Sequence, residues 1–234
     1  MISKIKIEDQ VLVPPQVITV GQFEALGPWN VENREHAPFV CAILYNQPVE
    51  LFKKVPNYEL SIMMSLALQP IQHLNSVEVQ HQVMGHSLLN LDEMTFGNFV
   101  DLDVLTQKGS LNNLVNIIAI LYDVEIETAA EWNIMESWGA LKTWLDWRSQ
   151  FYRKYSEFFN LDAMGGGDSD ETVSIESAWY SAIMVLAGED FLKIHQVTER
   201  GVVEALNYLA YKKDQNARLK QQLKKQEMKL KAIR

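Results

Sequence analysis

Apolar residues recur through most of this chain at three- and four-residue steps, the spacing that gathers side chains on one face of an α-helix. After Asn57, the residues Leu60, Met63, Met64, Ala67 and Leu68 follow that step until Pro70 ends or kinks the helix. Leu114, Ile117, Ile118, Leu121 and Tyr122 form the stripe of an apolar helix predicted over 111–122. Residues 37–46 are apolar nearly all round, as a buried helix is. Trp138, Leu141, Leu145, Phe151, Tyr152, Tyr155 and Phe158 carry the step through 129–160, which predicts a helix or a helix pair there.

Other stretches break the step. Lys4-Ile5-Lys6-Ile7-Glu8 alternates polar and apolar, and Val11-Leu12-Val13 stops at Pro14-Pro15, so residues 1–18 read as an extended arm or one short hairpin. Residues 76–91 begin with an alternation that permits a strand. Gly165-Gly166-Gly167-Asp168-Ser169-Asp170-Glu171 has nothing to bury and reads as a flexible linker. Beyond it, Thr172 or Ser174 caps a helix that runs through Ala187 and stops at Gly188. Thr198 is the expected cap of a last helix that meets no Gly or Pro after Gly201 and reaches Arg234, roughly 50 Å at 1.5 Å per residue. Its first half carries Val202, Val203, Leu206 and Leu209; its second half has the thinner stripe Leu219, Leu223, Leu230 and Ile233, too little for a core of its own.

One pattern appears twice. Thr19-Val20-Gly21-Gln22-Phe23-Glu24-Ala25-Leu26 is echoed by Thr95-Phe96-Gly97-Asn98-Phe99-Val100-Asp101-Leu102, and Ala42-Ile43-Leu44-Tyr45 by Ala119-Ile120-Leu121-Tyr122. The order matches and the separations are nearly the same, which points to a duplicated helical unit over 19–50 and 95–127. Thr19 with Gln22 has the form of a capping box, and Thr95 caps the second copy. The expected architecture is mainly α. It comprises an arm (1–18), a helical domain (19–164) holding both copies, a linker (165–171) and a C-terminal helical pair with a basic tail (172–234).

Charge changes the picture more than composition does. The net charge of −9 divides unevenly. Residues 212–234 hold nine bases (Lys212, Lys213, Arg218, Lys220, Lys224, Lys225, Lys229, Lys231 and Arg234) against Asp214 and Glu227, a net +7. The preceding 211 residues carry 12 bases against 28 acids, a net −16. A basic helix on an acidic body points to a charged partner, and those nine residues are the candidate partner-binding set. An acidic protein surface suits it better than nucleic acid. Lysines also grip phosphate without sequence preference, but the tail has no aromatic side chains for stacking on bases. The single cysteine, Cys41, sits in an apolar run and reads as a buried small hydrophobe in a protein made in a reducing compartment. No apolar run is long enough for a membrane span.

Catalytic chemistry is not visible. His73, His81 and His86 share a segment, but spacings of eight and five do not place them on one helical face, and no cysteine completes a metal set. Asp168, Asp170 and Glu171 lack the later ligands of a calcium loop. Asp101 and Asp103 have no His, Ser or Lys partner at a motif spacing. No Walker loop, GxGxxG or GxSxG exists, so no catalytic residue and no cofactor or metal is expected.

The run Met94 to Leu102, followed by a helix ending Ala119-Ile120-Leu121-Tyr122, resembles small helical proteins of tailed bacteriophages, the crAss-like group that infects Bacteroides-like hosts included. The resemblance covers residues 90–160, and the pattern from Trp179 to Leu209 followed by a charged helix is also similar. The chain departs from that family after Tyr122, where Asp123-Val124 stands in place of the usual Arg-Pro. The resemblance implies a non-enzymatic virion component, at the head–tail junction, associated with the portal or packaged. Such a protein is made in the host cytoplasm, forms oligomers and contacts other phage proteins, with non-specific DNA contact through the basic tail as a lesser expectation. The alternative is a tail assembly chaperone that leaves before maturation.

Overall fold

A computed structural model describes residues 4–7, 9–30, 33–156 and 174–233, without the side chains of 227 and 229–233. The described chain is mainly helical. Strands β1 (Ile5–Ile7) and β2 (Gln10–Leu12) pair antiparallel, so the arm begins as a hairpin. Helices α1 (Val20–Leu26), α2 (Ala37–Tyr45), α3 (Val49–Lys53) and α4 (Asn57–Ala67) follow. A second hairpin joins β3 (Gln82–Val83) to β4 (His86–Ser87). Then come α5 (Phe96–Gln107), α6 (Leu114–Tyr122), α7 (Ile126–Glu131), α8 (Ile134–Lys154), α9 (Ile175–Ala187), α10 (Ile194–Thr198) and α11 (Val202–Ile233).

Several starts and stops follow from local chemistry. The Thr19 hydroxyl accepts from Gln22 N at 3.1 Å while the Gln22 side chain accepts from Thr19 N at 3.0 Å, the reciprocal capping box. Gln22 Nε2 also donates to the Ile43 carbonyl at 3.1 Å, tying α1 to the last turn of α2. Helices α2 and α6 both end on a left-handed residue, Asn46 and Asp123, each bonded back to two carbonyls of the helix it closes. Ser174, rather than Thr172, caps α9, and Gly188 closes it in the left-handed region at φ 65°.

Two expected boundaries are corrected. Helix α6 starts at Leu114, not Leu111, because residues Ser110–Asn113 form a 3₁₀ turn that leaves Leu111 exposed. Thr198 does not cap the last helix. It ends α10, its hydroxyl donating to the His195 carbonyl at 3.0 Å. Helix α11 begins at Val202, held there by its own N–H donating to Met94 O at 3.1 Å. The stretch expected as a helix or helix pair over 129–160 contains the end of α7 and then α8, unbroken through Lys154; Phe158 and the expected linker at 165–171 lie outside the described residues.

Contacts divide the chain into two compact units that do not follow its order. Unit 1 is Met1–Leu89 with Leu105–Arg148; unit 2 is Asn90–Val104 with Ser149–Arg234. The division passes through the stretch 95–127, placing Thr95 in unit 2 and α6 in unit 1.

Within unit 1, α2 packs on α3 and α4, and α1 packs on α2, α6 and α7. Tyr45 and Tyr122, the matched tyrosines, donate their hydroxyls to Met63 O at 3.1 Å and Gln80 O at 2.7 Å. Burial pushes both phenols up to about 12, so they stay neutral donors. A Glu24 carboxylate oxygen accepts from Val115 N at 2.7 Å, placing negative charge at the start of α6 where the helix dipole favours it.

Within unit 2, Phe96 and Phe99 of α5 set their rings edge-on to Trp179 of α9, with centroids 5.8 and 5.5 Å away, and Phe99 lies 5.2 Å from Phe151.

Both units build the same joint. In unit 1, Val20 N donates to Trp132 O at 2.9 Å and Ile134 N to Ile18 O at 3.0 Å, a bridge centred on Thr19 and Asn133. In unit 2, Phe96 N donates to Arg200 O at 2.6 Å and Val202 N to Met94 O, a bridge centred on Thr95 and Gly201. The glycine of each Thr-x-Gly explains itself here. A Cβ on Gly21 would sit 3.2 Å from Ala130 O, and one on Gly97 would sit 3.1 Å from Thr198 Cβ.

Candidate interaction surface

Of the polar groups that the sequence singles out, Asp168, Asp170 and Glu171 lie outside the described residues. Among the described residues no group of three or more His, Cys, Asp or Glu side chains is placed to hold a metal ion. His36 Nδ1 accepts from Asn30 N at 3.0 Å, His86 lies against the Trp132 ring at 5.7 Å, and His195 pairs with Glu199 on the surface at 3.0 Å. Cys41 is fully buried, its thiol lies 3.8 Å from the Leu60 carbonyl, and burial pushes its pKa up to about 12, far from a reactive thiolate.

Asp101 and Asp103 part company. Asp101 is exposed, whereas Asp103 is fully buried in α5. Its carboxylate accepts from Tyr152 Oη at 2.8 and 2.9 Å and from Trp179 Nε1 at 2.9 Å. These donors satisfy an acid that burial alone would make costly, and they join three segments of unit 2. No solvent reaches it, which suits a structural role.

What unit 2 offers to solvent is surface. Helix α11 carries eight of the nine candidate basic residues; Arg234 lies outside the described residues, as do the side chains of Lys229 and Lys231. Lys212 and Lys213 are half-buried, with the Lys212 ammonium 5.6 Å from the Tyr208 ring centre; Arg218, Lys220, Lys224 and Lys225 are exposed. One side of the helix is sealed: Val202, Leu206 and Leu209 are buried. Another is open, with Tyr208, Tyr211, Leu219 and Leu223 between 45% and 59% exposed.

The open side leads into a groove of about 330 Å³ formed by α9, α10 and the first turns of α11. Leu186, Val197, Ala205 and Tyr208 give it an apolar lining, and Lys193, Arg200 and Glu204 edge it. Phe191 and Leu192, in the short turn before α10, are 68% and 73% exposed. Charged side chains of 188–204 are Glu189, Asp190, Glu199 and Glu204 against Lys193 and Arg200. Lys193 pairs with Asp190 at 3.2 Å and Arg200 with Glu204 at 3.7 Å, and the charged side chains that line the slot itself are Lys193, Arg200 and Glu204. Such a surface can hold another chain by burial and charge.

No family model, no curated protein and no solved structure matches this chain.

The basic set was readable as a charge run, but the groove was not. Its lining comes from three helices, and no local run of residues marks it.

Proposed function

We propose that this chain is a non-enzymatic structural component of a tailed-phage virion, placed at the head–tail junction, by the portal or in the packaged interior, and working through protein–protein contacts. One observation supports the contact role above the rest: helix α11 carries an uncovered apolar stripe and a run of basic residues far beyond its own core. A solvated helix has no need of exposed leucines at helical spacing, whereas a docked one does. The phage assignment rests on the resemblance of residues 94–102 and 119–122. No helix among the described residues is long and apolar enough to cross a membrane.

Mass spectrometry of gradient-purified particles tests this. The expected result is the chain in mature virions in fixed proportion to the portal protein. Its absence from particles, with recovery only alongside unassembled tail protein, overturns the structural role in favour of an assembly chaperone.

A further inference from the structure

We infer that α11 pairs antiparallel with α11 of a second copy of this chain, so that the basic half of each helix covers the groove of the other. This rests on the contact role proposed above and specifies its partner.

The open face of α11 is continuous. At about 100° per residue, Tyr208, Tyr211, Gln215, Leu219, Gln222 and Leu223 fall within a sector about 120° wide. Lys212 is the one charged residue of 205–228 in that sector, and its ammonium is folded over Tyr208. A helix face of Tyr, Gln and Leu flanked by lysines is the composition of a helix–helix seam. The face starts in the groove, at Tyr208, and runs out along the tail. Groove and tail therefore belong to one self-complementary surface, as a two-fold contact requires.

Charge selects the direction. A parallel pair lays nine bases and two acids of one tail against the same set in the other. An antiparallel pair lays Lys220 and Lys225 of each copy, which flank that sector, towards residues 188–204 of its partner, where four acids stand against Lys193 and Arg200. Opposite charges around an apolar seam favour association and fix its orientation.

Unit 1 shows the state such a face takes when it is covered. The matched bridges set Asn133 against Gly201, and so Trp132 against Arg200, Ser137 against Ala205 and Ala140 against Tyr208. Trp132, Ser137 and Ala140 are buried; in unit 2, Ala205 is buried as well, but Arg200 and Tyr208 are open to solvent.

The test uses the full chain. The wild type is expected to have twice the 26.9 kDa chain mass by light scattering at tens of micromolar. Leu219→Asp with Leu223→Asp is expected to give monomers with unchanged helical circular dichroism. Tyr208→Cys and Leu219→Cys chains, mixed and treated with a short bismaleimide, are expected to cross-link to each other far more than either does to itself. Preferential Leu219→Cys self-cross-linking shows a parallel pair and overturns the orientation. A monomeric wild type overturns the pairing altogether, while leaving a contact role towards another protein intact and open to the particle measurement.

Discussion

Unit 1 and unit 2 each fasten a Thr-x-Gly helix start to the beginning of another helix through a paired backbone bridge, yet they finish that joint differently. In unit 1 the surface beside the joint is covered by the chain itself. Glu78 and Val79 press onto α8 at Gly139, His86 lies on Trp132, and Leu89 N donates to Leu121 O at 2.7 Å. In unit 2 the matching surface carries an apolar slot and the solvent-facing Tyr208. The same joint is thus a finished core in one unit and an open seat in the other. Helical proteins bury their apolar faces in themselves or in partners, and the uncovered joint is the surface that the proposed contact role assigns to a partner.

Breaking unit 2 from within should have the largest effect. Asp103→Ala leaves Tyr152 Oη and Trp179 Nε1 without the acceptor they share, at about 3 kcal/mol if each loses roughly half that. The expected outcome is a lower urea midpoint with Trp179 exposed early, and Asp103→Asn, which keeps one acceptor oxygen, recovering part of the loss. An unchanged midpoint would show that the buried carboxylate does not hold the unit together.

Breaking the cover in unit 1 comes next. A Cβ on Gly139 would lie 2.5 Å from both Glu78 O and Val79 Cα. Gly139→Ala must push the 78–79 backbone away, costing about 2 kcal/mol by overpacking. Limited proteolysis should then cut within 76–90, while the mass of the assembly stays as in the wild type. Cleavage that appears elsewhere, or dissociation of the assembly, would blur the contrast between the covered and open joints.

The parts of this contrast that lie close together in sequence were readable there. Thr19 with Gln22 announced a capping box, the 37–46 run announced a buried helix, and the Tyr45 and Tyr122 repeats did mark helix ends with satisfied hydroxyls. The parts set by distant residues were not. Thr95 bonds next to Gly201, 106 positions away, and that bridge moved the start of the last helix from Thr198 to Val202. Periodicity showed a repeat, but not that its second half would be divided between two units. The nine bases were visible as a run, whereas the apolar slot at the root of the same helix needs Leu186, Val197 and Ala205 brought together from three helices.

Hydrogen exchange along α11, in dilute and in concentrated protein, tests the central claim most directly. The account predicts that amides of residues 212–228 exchange rapidly when dilute and become protected as concentration rises, together with those of Val197 and Ala205 in the groove. Rapid exchange of the tail at every concentration, with the groove amides unmoved, would contradict it.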